Sequence, residues 1–289
     1  MTTFAHVGGR LVPAAEASVN VRDRGFRYGD AAFETLRAYN GTILRWHHHW
    51  RRLERTCEGM RLPTGVHRTA ARARIRETMA ANGLADAYIR LSISRGVQTG
   101  RLAPQQHGDP TVVIIVEPLP RGGTTGQRTW DGPATCAIPR TRHIPDESLP
   151  AHLKTHNYLV GILAKAEAMD RGADEAVLLD THGRLTEGTV SNVFFVRDGE
   201  LCTPSTATQP VLPGITREIV LEIAEDAGIP TLRDSFAPEA LFDADEAFLT
   251  NRTWELRPIG RVDETELSVG RVTSRLQAAY DELVERTCY

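Results

Sequence analysis

The residues best suited to nucleophilic chemistry in this sequence are its two lysines, Lys154 and Lys165, the only lysines among 289 residues. Every other basic side chain apart from histidine is arginine, which keeps its proton and cannot act as an amine nucleophile. A lysine retained in such a sequence is therefore a candidate for Schiff-base formation with an aldehyde. The base composition of the genome explains the same scarcity without a catalytic role, and both explanations stay open.

The hydrophobic pattern separates the two lysines. Apolar residues recur at helical spacing and predict a helix that ends near Gly172. They are Leu159, Ile162, Leu163, Ala166 and Met169. Lys165 falls off this apolar stripe and is expected to be solvated. Lys154 precedes the helix in a polar stretch, from which a loop could direct it into a cleft, although a loop lysine is commonly only solvated.

Two further features supply a carboxylate and an anion site. Glu187 lies in the stretch LTEGTVSN, and the Gly214–Thr216 turn opens a predicted helix. The first N–H groups and the positive dipole end of a helix suit a phosphate. An amine for an aldehyde, a carboxylate for a ring nitrogen and a phosphate site together fit pyridoxal 5′-phosphate. Taken singly, the glutamate has the ordinary interpretation of a solvated side chain, and the turn that of a helix cap.

Strands and helices alternate in the first part of the chain. Short strands flank Gly8–Gly9 and Asn40–Gly41, which suit tight hairpin turns, and the segment 45–60 repeats its large apolar residues at helical spacing. His47–His49 cannot all face one side of that helix, so no metal site is predicted. The predicted elements are strands within 4–12, strands near 36–38 and 43–44, helices at 45–60 and 67–82, and strands at 87–94 and 111–116.

The second half continues this mixture and indicates an α+β protein of two domains. Predicted strands cover 135–138, 176–179, 193–196 and 247–250, and helices cover 214–228 and the stretch from 272 to 283. Between the halves the periodicity disappears while proline and glycine accumulate. We therefore predict an N-terminal domain at 1–117, a linker at 118–127 and a C-terminal cofactor-binding domain at 128–289.

Composition excludes several classes of function. The formal charge is −3 and the arginines are dispersed, so nucleic-acid and membrane partners are not expected. The sequence begins without the pattern of a signal peptide and contains no apolar run long enough to span a bilayer. Its four cysteines lack C-x-x-C spacing, which favours reduced thiols and a cytoplasmic location.

Five blocks of the sequence resemble the class IV aminotransferases, the fold-type IV pyridoxal-phosphate enzymes. This family includes branched-chain and D-amino-acid aminotransferases and 4-amino-4-deoxychorismate lyases. The resemblance extends from about Val21 to Tyr280. The blocks are Asp23–Asp30 with Phe33–Glu34, His49–Leu53, Lys154–Leu159, Glu187–Phe194 and Leu212–Arg217.

The resemblance implies a fold-type IV architecture with the active site between the domains, a homodimer and pyridoxal 5′-phosphate as cofactor. In that case Lys154 forms the Schiff base and then moves the proton at the substrate carbon, and Glu187 keeps the pyridine nitrogen protonated. The other matches to cofactor-binding positions are Arg52, Tyr158, Ile215, Thr216 and Thr253. A non-catalytic carrier of the cofactor would not need Lys154 or Glu187, and both are present.

The matches on the substrate side are Tyr28, Phe33, Thr35, Tyr88, Arg90 and Arg101. Tyr88–Arg90 resembles the branched-chain aminotransferases, whereas Thr35 and Gly100–Arg101 resemble the lyases. We expect a transaminase that moves an amino group between an amino acid or primary amine and a 2-oxo acid. The alternative is a 4-amino-4-deoxychorismate lyase that releases pyruvate and forms 4-aminobenzoate. Two interpretations of Arg257 stay open, a carboxylate anchor and a surface ion pair.

Overall fold

The computed structural model describes residues 2–98, 102–103, 108–119 and 128–289. The chain forms two compact units. The first unit comprises Met1–Gln127, Leu153–Asn157 and Thr287–Tyr289, and the second comprises Arg128–His152 and Tyr158–Arg286. The short segment that carries Lys154 therefore belongs with the N-terminal part of the chain. The linker at 118–127 stays a prediction, because residues 120–127 lie outside the described part.

In its described residues, the first unit contains a six-stranded antiparallel sheet and three helices. In chain order its elements are β1 Phe4–Val7, β2 Arg10–Pro13, α1 Arg24–Tyr28, β3 Ala31–Tyr39, β4 Thr42–Ile43, α2 Trp46–Gly59, α3 Arg68–Ala81, β5 Ala87–Ser94 and β6 Thr111–Glu117. The strand order is β2-β1-β6-β5-β3-β4. The long β3–β5 pair lies towards one edge of this sheet and carries most of the predicted substrate-side residues.

Tight turns of the predicted kind set the register of two hairpins. Gly8 and Gly9 have φ angles of 55° and 89°, and Asn40 and Gly41 have φ angles of 47° and 76°. Two successive positive φ values are typical of the two-residue turns that match the twist of antiparallel strands. The sequence prediction of both hairpins is confirmed.

Helices α2 and α3 cover one face of the first sheet. The predicted apolar repeat of α2 is buried at Trp46, Trp50, Leu53 and Cys57, in one cluster with residues of β3, β5 and β6. This burial stabilises the unit. The polar residues of α2 remain available for contacts with other polar groups. Two of those positions, His49 and Arg52, are themselves buried.

The second unit contains a larger mixed sheet. Its elements are β7 Ala134–Ala137, α4 Leu159–Asp170, β8 Glu175–Leu179, β9 Leu185–Gly188, β10 Asn192–Arg197, β11 Glu200–Pro204, α5 Ile215–Asp226, β12 Thr231–Asp234, α6 Glu239–Phe242, β13 Glu246–Asn251, β14 Glu255–Val262, β15 Thr265–Glu266 and α7 Arg271–Cys288. The order is β12-β11-β10-β13-β14-β7-β8-β9, with β15 paired to β14. Three pairs are parallel, namely β11–β12, β14–β7 and β7–β8. The predicted mixed α+β composition is confirmed.

Helix α4 presents its apolar stripe outward. Leu159, Ile162, Leu163 and Met169 are exposed by 66, 61, 50 and 64%, while the small residues Ala164 and Ala168 are buried. The Lys165 side chain stays partly exposed, at 34%, and it also makes polar contacts with residues at the start of β8. Its Nζ donates to the Asp174 carbonyl oxygen and lies 3.8 Å from Glu175 Oε1.

None of the helices within the described ranges has the length and apolar character needed to cross a membrane.

Candidate active site

The backbone of Lys154 is fixed by two elements of the first unit. Its carbonyl oxygen accepts a 3.0 Å hydrogen bond from the Phe33 N–H of β3, and its own N–H donates to Thr56 Oγ1 of α2 at 3.2 Å. The His156 N–H donates to the Ala31 carbonyl oxygen at 3.0 Å. These bonds make the 153–157 segment an extra partner of β3, so the position of Lys154 depends on the first sheet.

The Lys154 side chain lies beside an aromatic ring that it shares with an arginine. Its Nζ is 4.4 Å from the centroid of the Phe33 ring, and the guanidinium carbon of Arg90 is 3.8 Å from the same centroid. His156 approaches this ring edge-on at 5.5 Å. Burial, followed by the charge of Arg90, lowers the pKa of His156 to about 4. The histidine is therefore neutral at pH 7.

Arg52, the predicted phosphate ligand, is held by a buried carboxylate. Its Nε and Nη2 donate to Glu34 Oε1 and Oε2, both at 2.8 Å. His49 Nδ1 lies 2.7 Å from Glu34 Oε2. Although burial opposes ionisation, the charge of Arg52 and its hydrogen bonds, together with His49, lower the pKa of Glu34 to about 2. A two-point contact of this kind fixes the plane of the guanidinium.

Four predicted substrate-side residues share one face of the β3–β5 pair. Phe33 and Thr35 are two residues apart on β3, as are Tyr88 and Arg90 on β5, and Thr35 is paired with Arg90 in the register. Alternate residues of a strand point to the same side. Tyr28, the last residue of α1, is 37% exposed and contacts the guanidinium groups of its own helix. Arg101 lies outside the described residues.

Glu187, at the end of β9 in the second unit, is surrounded by donors. Its Oε2 accepts hydrogen bonds from Asn192 Nδ2 and from the Leu212 N–H, each at 3.0 Å. His143 Nε2 lies 3.4 Å from its Oε1. The carboxylate retains an exposure of 14%. A carboxylate held in place by these donors can accept a hydrogen bond from a protonated ring nitrogen.

The turn between β9 and β10 is held by hydrogen bonds within the turn and by one to Glu175 of β8. Gly188 donates its N–H to the Ser191 carbonyl oxygen at 2.6 Å, and a Cβ at residue 188 would collide with Ser191 Oγ. Thr189 Oγ1 donates to Glu175 Oε1 at 2.6 Å. Because Lys165 pairs with the same carboxylate, the second lysine of the chain supports the turn that follows Glu187.

The predicted phosphate turn is joined to Glu187 by Asn192. Besides contacting Glu187, Asn192 Nδ2 donates to the Leu212 carbonyl oxygen at 2.9 Å, and a Cβ on Gly214 would collide with Asn192 Oδ1. Helix α5 starts at Ile215. Its N-cap residue is Gly214, and no side-chain hydrogen bond caps this end of the helix. The first helical bond is donated by Glu218 to Gly214, so the N–H groups of residues 215–217 precede the helical ladder and fit a phosphate.

The remaining predicted cofactor residues lie at the ends of elements. Tyr158 is the N-terminal capping position of α4. Thr253 follows β13, where its N–H donates to Asn251 Oδ1 at 2.9 Å. Arg257 forms an ion pair with Asp174 Oδ2 at 3.0 Å and donates to the Gly132 carbonyl oxygen, which favours the ion-pair interpretation left open above.

Sequence reasoning did not assign roles to Glu34, Asn192, Glu175 or His143. Glu34 and Asn192 stand inside motif blocks, so the blocks themselves were a signal. Glu175 and His143 carry no signal in the sequence, because their partners become neighbours only when β8 and β9 pair.

The match to known proteins covers most of the chain. Residues 31–262 match the family described as "Amino-transferase class IV". The chain belongs to this family. Its enzymes use pyridoxal 5′-phosphate. The amine of Lys154, the donor-surrounded carboxylate of Glu187 and the uncapped start of α5 are the groups that this cofactor requires.

Three relatives illustrate the range of activities in the family. A candidate branched-chain-amino-acid aminotransferase from Methanocaldococcus jannaschii is 34% identical over 96% of this chain and 95% of that protein. The aminodeoxychorismate lyase of Bacillus subtilis is 31% identical over 97% of this chain and 94% of that protein. The D-alanine aminotransferase of Listeria innocua is 30% identical over 98% of this chain and 96% of that protein. The chain is thus similar, over nearly its whole length, to relatives with three different activities.

Solved structures share the fold. The branched-chain aminotransferase of Thermoproteus uzoniensis with norvaline superimposes with a TM-score of 0.88 at 32% identity, covering 98% of this chain and 95% of that one. The Escherichia coli enzyme gives a TM-score of 0.89 at 27% identity, with coverage of 98% and 95%. The predicted fold-type IV architecture of this class IV family member is confirmed.

Proposed function

We propose that this protein is a transaminase that moves an amino group from an amino acid or primary amine to a 2-oxo acid. The observation that carries the proposal is the arrangement beside Phe33, where Lys154 Nζ and the Arg90 guanidinium lie 4.4 and 3.8 Å from one ring. An amine suits proton transfer at an α-carbon. A guanidinium suits the carboxylate of an amino acid or a 2-oxo acid.

Pyridoxal 5′-phosphate, when bound, supplies the electron sink for loss of the α-proton. We assign the amine of Lys154 to holding the cofactor and moving that proton, and Glu187 to the pyridine nitrogen. Arg52, Ile215, Thr216 and Thr253 are assigned to the phosphate, and Tyr158 to the phenolic oxygen. The substrate is assigned to Tyr28, Phe33, Thr35, Tyr88, Arg90 and Arg101.

The second candidate is 4-amino-4-deoxychorismate lyase, which releases pyruvate and forms 4-aminobenzoate. Thr35 favours it, because this residue lies opposite Arg90 in the strand register, on the substrate-side face of the sheet. A hydroxyl at that position can assist departure of a β-substituent as an acid. The 31% identity to the Bacillus subtilis lyase gives additional support.

We also propose a homodimer in the cytoplasm. Its support is the exposed stripe of α4, where four large apolar side chains are at least half exposed. A contiguous apolar surface of this kind marks an interaction site, and a second copy is the partner that the family resemblance implies. The four cysteines are free and buried, which is consistent with a reducing compartment.

A half-reaction distinguishes the two activities. Cofactor-loaded protein is mixed with single amino acids of either hand or with primary amines, and absorbance follows conversion of the aldehyde form to the amine form. Conversion by one donor supports the transaminase, and the responding enantiomer defines its stereochemistry. Pyruvate release from aminodeoxychorismate without conversion by any donor would instead identify the lyase.

A further inference from the structure

His143 is a partner of Glu187 that no motif indicates. It lies in the stretch between β7 and the Lys154 segment, and its N–H donates to the Leu179 carbonyl oxygen at the end of β8 at 2.9 Å. Its side chain is 18% exposed. The neighbouring Arg142 pairs with Leu179 in a short parallel bridge. The imidazole is therefore held by backbone pairing beside the carboxylate.

Both ring nitrogens of His143 face oxygen atoms. Nδ1 lies 2.9 Å from the Ile144 carbonyl oxygen, and Nε2 lies 3.4 Å from Glu187 Oε1. A carbonyl oxygen and an ionised carboxylate can each only accept hydrogen bonds. A neutral imidazole has one N–H and can satisfy one of these oxygens, whereas the imidazolium donates to both.

The proton of this pair belongs on the histidine. Glu187 already accepts two N–H groups at Oε2, and an imidazole is ordinarily more basic than a carboxylate. Burial opposes the charge, but Glu187, the Ile144 carbonyl oxygen and Asp146 outweigh burial and raise the pKa of His143. Arg217 of α5 is another charged group near Glu187.

We propose that His143 is a positioning residue which, as an imidazolium, orients Glu187 as the partner of the cofactor's ring nitrogen. The inference rests on the proposed function, since it assigns the ring nitrogen to Glu187. Above the pKa of His143, Glu187 loses its cationic neighbour. The charge beside the ring nitrogen then changes, so protonation of the ring follows the titration of His143.

The first test uses the cofactor-free full chain. Histidine resonances are titrated by NMR in the wild type, in Glu187→Gln and in His143→Gln, which assigns the signal. We expect His143 to titrate above the ordinary value of about 6.5 and to return towards it in Glu187→Gln. His182, which is exposed, serves as the internal reference, because neither substitution should change its signal. A His143 midpoint that is ordinary, or that does not respond to Glu187→Gln, would overturn the pairing.

The second test follows the ring itself. The chemical shift of ¹⁵N-labelled pyridoxal phosphate is measured against pH in the loaded wild type, in His143→Gln and in the matched control His182→Gln. The wild type and the control should show a transition at the His143 midpoint, and His143→Gln should lack it. Identical profiles in all three proteins would refute the positioning role. Failure of the wild type to bind the cofactor would refute the proposed function instead, and the first test would still report on the pair.

Discussion

At the scale of single residues, the candidate site is defined by which charged groups are neighbours. The sequence selected Lys154 by its scarcity, and Arg52 and Glu187 by the motif blocks that contain them. It did not assign the partners of Arg52 and Glu187, because Glu34 meets Arg52 across two different elements and His143 meets Glu187 only when β8 and β9 pair. A buried carboxylate with an arginine and a histidine around it is stable only as a complete set, and this requirement leads to the first prediction.

Replacing Glu34 by Gln should lower the free energy of unfolding by about 3 kcal/mol, because Arg52 and His49 would lose a buried counter-charge. Urea denaturation of the cofactor-free protein measures the change. Glu58 lies on the exposed face of the same helix as Arg52, and Glu58→Gln should stay within about 0.5 kcal/mol of the wild type. Equal losses in the two variants would show that the Glu34 cluster is not structurally important.

The neutral state of His156 predicts a pH dependence of stability. Its folded pKa of about 4 lies below the ordinary value of 6.5, so between these values the unfolded chain binds a proton that the folded chain does not. This contribution is complete above pH 6.5 and is lost as the pH falls towards 4. Urea unfolding at pH 7.5 and 5.5 should show a smaller difference in His156→Asn than in the wild type.

The exposed His182 supplies the control for that experiment. His182→Asn should keep the wild-type difference between the two pH values. If His156→Asn kept it as well, burial would not hold this imidazole neutral.

At the scale of elements, helices were more predictable than the strands around them. The spacing of apolar residues located α2, α4 and α5, but it did not reveal which side of α4 is buried. The large residues of α4 face outward because small alanines allow the helix to approach the sheet closely. Strand β14 was not predicted, since Pro258 and Gly260 interrupt its pattern, although β13 and β7 pair with it on both sides.

The outward stripe of α4 predicts a change of assembly on mutation. Ile162→Glu places a charge in the middle of this stripe and should convert the proposed dimer to a folded monomer. Light scattering measures the molar mass, and circular dichroism should stay unchanged. Val269, another apolar residue of the second unit, is 50% exposed, and Val269→Glu is the matched control. A dimer that survives Ile162→Glu would exclude this surface as the interface.

The phosphate turn predicts a steric effect. A side chain on residue 214 would displace Asn192, which joins Glu187 to Leu212. Overpacking of this kind costs about 1–3 kcal/mol. Gly214→Ala should therefore weaken the binding of pyridoxal phosphate about tenfold or more. Titration by absorbance measures the affinity. A Cβ on Gly132 meets no atom within 4 Å, so Gly132→Ala should bind as the wild type does. An unchanged affinity in Gly214→Ala would contradict the role of the turn.

At the scale of the whole molecule, the sequence indicated two halves but not how the chain shares its residues between them. Residues 153–157 come well after the predicted linker at 118–127, yet they join the first unit. The reason is the backbone bonding of Lys154 and His156 to β3, a pairing between positions far apart in sequence. Local periodicity carries no information about such contacts. The family resemblance spanned both halves and therefore predicted the fold more completely than the local patterns did.

The most direct test of the central claim uses the scarcity of lysine. Protein loaded with pyridoxal phosphate is reduced with borohydride, which fixes an imine as a stable adduct, and the modified peptide is identified by mass spectrometry. With two lysines in the chain, we predict modification of Lys154 in proportion to bound cofactor, and no adduct on the protein in Lys154→Ala. An adduct confined to Lys165, or stoichiometric cofactor without any adduct at Lys154, would contradict the account.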